Sequence, residues 1–276
     1  MTERKFEPLK AGCQTFTWEM LGPRWSGGAD DLLAAIASAG YSGIEITDKM
    51  IGQYEDRPAA FAEALERRGL ALVAFACGSD SGFTEADALE ADLEKAEAAI
   101  DFAGAFPGAH VSFGSATIMS GGPRREKFEA AARFYNEAAR RGARAGVPVA
   151  VHPSSHHGTL LLTRGDYDEL FSRLEPETVG WVPDTGHILR GGHDILDTLS
   201  AHRDRIRYLH LKDVDRSGEW QMLGAGACDV PAVIAAVRAA PEFNGWLVVE
   251  EESEQAGRDP AAAVARNRGA LAAFGV

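Results

Sequence analysis

The stretch VGWVPDTGHILRGG, residues 179–192, carries Asp184 and His187 three residues apart, directly after a short apolar run that ends in a proline. A carboxylate and an imidazole can together hold a hard or borderline cation, and the imidazole can carry a proton. The same pair also suits a turn or a helix cap, since Asp ahead of Thr and Gly is common turn chemistry. The chemical reading gains weight because other apolar runs end in ligand-type residues too: Glu45 in GIEIT, His152 in VPVAVH, His210 and Lys212 in IRYLHLK, and Glu250 in WLVVEEE.

Each of these residues has a plain structural alternative. Glu45 could cap a helix or face solvent, and His152, after four apolar residues, could be a core histidine. His210 lies inside an apolar run, where an inward imidazole needs a partner or incurs about 1–3 kcal/mol. Along an extended chain Glu250 and Glu252 point one way and Glu251 the other, so only a subset of that acidic run can face a site. His156 and His157 in SSHHGT fall on a loop, where substrate contacts concentrate. Trp18 follows the polar Gln14 and Thr17 and is a candidate to lie against a ligand. Asp229 reads as the N-cap of the helix that follows it.

The elements that must carry these groups alternate regularly. Eight β-like runs cover residues 12–18, 43–47, 71–77, 109–114, 147–152, 179–183, 206–211 and 246–252, and an amphipathic, Ala-rich segment follows each one. Asp30, Asp31 and Gly40 mark the ends of the first helix, while Pro123 and Pro260 suit first helical turns. The runs are nearly continuous in apolar residues, as parallel strands covered on both faces should be. An α/β chain of eight such units in 276 residues matches a closed (β/α)8 barrel. The rival is a doubly wound sheet, but no GxGxxG follows the first run. Without a linker or a shift in composition, residues 1–276 read as a single domain. In a barrel the chemistry sits at the C-terminal ends of the strands, where five of the eight runs place ligand-type side chains. The segment GFTEADALE is either a lid or a helix start.

The bulk properties remove several classes of function. A net charge of −13 argues against nucleic acid and anionic membrane surfaces, which attract basic patches. No run approaches the roughly 20 apolar residues of a membrane span, and the opening MTERKFEPLK lacks the apolar centre of a leader. Cys13, Cys77 and Cys228 are widely spaced, with no CxxC, so neither a disulfide framework nor a thiolate zinc site is expected and a reducing cytoplasm fits.

CQTFTW, GYSGIEI, HPSSHHGT, VPDTGH, IRYLHLKDVD, LGAGACDVPAVI and GWLVVEEES occur in this order, and the DP and NR of the last helix close the set. In these motifs the chain resembles the xylose-isomerase-like TIM-barrel superfamily, the sugar phosphate isomerases/epimerases, and within it the inosose dehydratase branch. The resemblance implies one divalent ion, with manganese favoured and cobalt, magnesium or zinc as alternatives. Its ligands would be Asp184, His210, Glu250 and a residue at the end of the fifth strand. Many members carry Glu at that last position; this chain has His152, with His156 and His157 close behind, and the choice among the three stays open, the strand-end position favouring His152.

Such a site leaves a Lewis-acidic ion free to chelate a carbonyl and an adjacent hydroxyl, acidify the neighbouring C–H and stabilise the resulting enediolate. Glu45, His187 and Glu250 are the candidate proton handlers, and Trp18, His156, His157 and Lys212 the candidate substrate contacts. The expected activity is dehydration of a keto-sugar or keto-inositol, in the manner of an inosose dehydratase. Isomerisation or epimerisation on the same site, or β-elimination of a 3-keto-glycoside, is the alternative. A barrel that only binds a sugar is the reading from a different class. The implied partner is a small carbohydrate, and a homo-oligomer stays open.

Overall fold

The computed structural model describes residues 8–276. Eight parallel strands carry the fold: β1 (Lys10–Gln14), β2 (Gly43–Thr47), β3 (Ala71–Cys77), β4 (His110–Phe113), β5 (Val149–Val151), β6 (Val179–Trp181), β7 (Leu209–Leu211) and β8 (Trp246–Val249). Consecutive strands from β1 to β6 pair in order, and β8 lies between β1 and β7. Closure comes at the remaining seam, where Trp181 bridges Ile206 and Asp184 bridges His210, both parallel. The result is a (β/α)8 barrel ringed by helices.

Alternation along the strands divides the apolar residues into two layers. Ile44, Val111, Phe113, Val151, Leu209 and Leu247 point outward and pack against the helices in the main core. Val73, Ala74, Ala150, Val182, Tyr208, Trp246 and Val248 form a second cluster inside the barrel. The neighbours Val73 and Ala74 share that inner cluster because the β2–β3 register shifts between Ile44 and Glu45.

Two ends differ from expectation. β1 starts at Lys10 and stops at Gln14, and Phe16–Glu19 forms a turn of helix instead of extending the strand. β8 stops at Val249, so Glu250, Glu251 and Glu252 leave the barrel as extended loop. The GFTEADALE segment enters a short 3-10 turn (Ala86–Ala88) that leads into the helix Leu89–Ala103, so it is a helix start. Asp229 does cap the helix Val230–Arg238, accepting the Ala232 N–H at 3.1 Å. Among the described residues no helix is long and apolar enough to cross a membrane.

Candidate active site

The C-terminal ends of β5 to β8 bring four side chains to one point. His152 follows β5, Asp184 follows β6, His210 lies in β7 and Glu250 follows β8. Asp184 is the N-cap of the short helix Thr185–Arg190. Its Oδ1 accepts the His187 N–H at 2.8 Å, which turns Oδ2 toward the barrel axis. From that Oδ2, His152 Nε2 lies 3.7 Å away and His210 Nδ1 3.8 Å away. Glu250 Oε2 is 2.9 Å from His210 Nδ1 and 3.9 Å from His152 Nε2. The four donor atoms all fall within 4.8 Å of one another.

Two features say that this cluster fits a divalent ion. Asp184 Oδ2 and His152 Nε2 are buried yet find no hydrogen-bond partner among the described residues, which is expensive unless something charged completes them. The far nitrogen of His210 meets Glu45 Oε2 at 2.7 Å, the carboxylate–histidine arrangement that fixes a ligand imidazole from behind. Two imidazoles and two carboxylates suit a borderline or hard cation.

Electrostatics keep the carboxylates of the cluster ionised and place a proton on His210 that an incoming cation must displace. Burial alone would raise the Asp184 and Glu250 carboxyls, but neighbouring imidazoles and the Lys212 ammonium hold both well below the usual carboxylate range. Burial also works against charge on His210, yet Glu45 and Glu250 overcome it and raise its pKa to about 10. Lys212 is likewise pulled up against its burial by Glu250 and Glu252; its Nζ lies 2.6 Å from Glu250 Oε1 and also contacts Glu252 Oε1.

Above this level His156, His187 and Glu252 form a second group of close donor atoms. His187 cannot serve as a ligand there through Nε2. The Ser155 N–H donates to His187 Nδ1 at 3.0 Å, and the Ser155 hydroxyl approaches the same atom at 2.9 Å, so Nδ1 bears no proton and Nε2 carries it. Burial pushes the His187 pKa down to about 3 against the pull of Asp184, with Lys212 reinforcing the shift, so the ring is neutral at pH 7. For the same reason the 3.5 Å approach of Lys212 Nζ to Nε2 is a packing contact between two donors. His187 therefore presents an N–H and acts as a donor.

The cleft over these groups is small, about 180 Å³, and is lined by Gln14, Phe16, Glu45, His152, Ser154, His156, His187 and Glu250 among others. That is below the roughly 300–1,000 Å³ of drug-sized sites. Glu45, His152, His156, His187, His210, Lys212, Asp184 and Glu250 are thus gathered in one place. Two candidates are not. Trp18 is 1% exposed and packs on Trp25, because the helical turn at residues 16–19 sends it into the core and turns Phe16 to the cleft instead. His157 is exposed and belongs to neither histidine group, since the loop turns it to solvent one residue beyond His156.

The sequence reading also missed Trp220. It sits on a two-stranded hairpin (Asp213–Val214 with Trp220–Gln221), 5.2 Å from the His187 ring and 4.5 Å from Lys212 Nζ. A β-carbon on Gly186 would meet Trp220 at 2.8 Å and Lys212 at 2.9 Å, so the glycine of PDTGH is what admits them. The Asp of HLKD is structural. Asp213 accepts the N–H groups of Val214, Gly224, Gly226 and Cys228 at 2.9–3.0 Å, tying the LGAGAC loop beneath the hairpin next to Lys212.

The model of the family described as xylose isomerase-like TIM barrel matches residues 33–273. The chain belongs to this family. Among curated relatives it is 32% identical over 133 residues to an inosose dehydratase of Geobacillus thermodenitrificans (strain NG80-2), covering 42% of this chain and 44% of that one. The chain thus spans less than half the length of the inosose dehydratases it matches. It is 28% identical over 258 residues to the rhizopine catabolism protein MocC of Rhizobium meliloti, covering 82% of this chain and 75% of that protein. The crystal structure of the IOLI protein with a binding zinc atom superposes with a TM-score of 0.77 over 96% of both chains at 16% identity, a likeness of fold.

Proposed function

We propose that this protein is a divalent-metal-dependent lyase that dehydrates a keto-inositol or related keto-sugar by removing a proton alpha to the carbonyl. The observation that carries the reading is the convergence of His152, Asp184, His210 and Glu250, two of them with orphaned buried donor atoms, on the floor of a one-ring cleft. The similarity to inosose dehydratases points the same way. The four residues would hold the ion, which in such a site supplies Lewis acidity toward a carbonyl and its neighbouring hydroxyl.

The remaining steps belong to side chains. Proton abstraction falls to the carboxylate pair Glu45 and Glu250, which flank His210 and line the cleft. The neutral His187, with its proton fixed on Nε2, donates a hydrogen bond toward a substrate oxygen, while the carboxyl group that took the carbon-bound proton returns it to the departing hydroxyl, which leaves as water. Lys212 holds Glu250 and Glu252 in place and adds its buried positive charge beside them. His156, 3.3 Å from Glu252, and the Phe16 ring close the cleft on the outer side.

One observation favours a second reading. A polar groove lined by Lys49, Gly78, Ser79, Asp80 and Lys95 shares Lys49 and Gly78 with the cleft, and could seat the second ring of a 3-keto-glycoside undergoing β-elimination.

The test is metal content of the purified protein, followed by turnover of keto-inositols, keto-sugars and keto-glycosides, read for both dione chromophores and isomers. One ion with a dione product supports the dehydratase, and aglycone release selects the glycoside reading. Isomers alone move the assignment to an epimerase, and no turnover with tight sugar binding would replace the enzyme by a binding barrel.

A further inference from the structure

At the opposite, N-terminal end of the barrel, a cavity of about 330 Å³ is lined by His110, Val147, Pro148, Thr178, Arg207 and Glu242 among others. Arg207 is the unusual member. It is 9% exposed, its Nη1 is buried without a partner, and its guanidinium makes no hydrogen bond or ion pair among the described residues. The chain provides for its position, because a β-carbon at Gly180 would meet Arg207 Cγ at 2.5 Å.

Its neighbour two residues earlier shows what a satisfied guanidinium looks like here. Arg205 donates to the carbonyls of Phe171, Leu174, Glu175 and Val179 at 2.7–3.1 Å, and it adds a second positive charge close by. His110 lines the same cavity at 5% exposure, and its Nδ1 is also buried without a partner. A guanidinium nitrogen buried without a partner is unfavourable, and with the Glu242 carboxylate acting on it only from beyond ion-pair distance, native structures complete such a group with an anion or ordered water.

We infer that Arg207, walled by His110, forms a binding site for a small oxyanion, a phosphate or carboxylate group, on the face of the barrel opposite the catalytic cleft. The planar guanidinium offers paired donors that match such a group. Burial and the adjacent Arg207 lower the His110 pKa to about 4, so the ring is neutral, and with its one N–H drawn toward the Gly108 carbonyl it walls the cavity while Arg207 supplies the donors. The carboxylates of Glu177 and Glu242 stand at the rim, which restricts the occupant to a single compact anionic group.

The experiment is thermal unfolding of the whole protein in inorganic phosphate, against sodium chloride at matched ionic strength. At about ten times the dissociation constant the midpoint should rise by roughly 2–4 °C. The rise should persist in Asp184→Asn, which disables the candidate metal cluster, and vanish in Arg207→Met. Should Arg207→Met fail to fold, Ala143→Trp, which places a ring at the exposed rim, must abolish the rise on its own. No rise beyond the chloride control, or a rise unchanged in the Arg207 and Ala143 variants, overturns the proposal.

Discussion

Glu45 Oε2 lies 2.7 Å from His210 Nε2, on the side of the ring away from Asp184 and Glu250. The carboxylate comes from β2 and the imidazole from β7, three strands apart in the sheet, so the contact exists only when the sheet curls into a barrel. It fixes which nitrogen His210 turns to the cluster. Glu45→Gln keeps the shape and removes the charge; loss of such a partner weakens metal binding about 10- to 100-fold. Titration against a chelating dye measures this, and an unchanged affinity would remove Glu45 from the positioning role.

His210 also sets a pH dependence. Its pKa in the fold is raised from 6.5 to about 10. The metal-free fold therefore holds this proton more tightly than the unfolded chain does. The stabilisation is complete below about 6.5 and is lost as pH rises through about 10. Chelator-treated protein should thus lose melting temperature across that window, and His210→Gln should flatten the curve. Because an ion must displace the Nδ1 proton, metal affinity should run the other way and increase with pH. A flat profile for both quantities would mean that Glu45 and Glu250 do not share a proton through His210.

The loop motif yields a stability prediction. Asp213 satisfies four backbone N–H groups, and a β-carbon on Gly226 would meet Asp213 Oδ1 at 2.3 Å. Asp213→Ala should destabilise by about 2–4 kcal/mol in denaturant titration and lower turnover through displacement of Lys212. Gly226→Ala should reproduce the effect in part. Full stability in Asp213→Ala would show that water replaces the carboxylate at no loss.

How much of this was legible in the sequence depends on whether a role is set by strand periodicity or by loop geometry. His210 could be placed facing the barrel interior because it sits in a regular strand, and Glu250 and Glu252 share a side, as strand alternation has it, where both meet Lys212. The order of the eight runs was enough to foresee the barrel. Trp18 was misplaced because one helical turn after β1 breaks the alternation that would have turned it to the mouth. Trp220 was missed because the hairpin that carries it is closed by long-range hydrogen bonds from Asp213 and by the absence of a side chain at Gly186, neither of which leaves a periodic signal. The proton position on His187 depends on the Ser155 N–H, 32 residues away in sequence, and only the folded loop reveals it.

That last contact separates binding from chemistry. His187 lies beside the four-residue cluster without belonging to it, its backbone holds Asp184 in place, and its side chain offers an N–H to the cleft. His187→Phe retains the backbone N–H and a ring of similar size, but not the Nε2–H donor. Metal content should therefore match that of the unmodified protein, while kcat falls about 10²- to 10³-fold, the range of a lost hydrogen-bond donor to charge that develops in the transition state. KM should change much less than kcat. If instead the ion is lost along with activity, His187 acts through Asp184 and its assignment as hydrogen-bond donor to the substrate fails. If kcat is unchanged, the substrate oxygen is held by another donor, and His156 at the rim becomes the group to replace next.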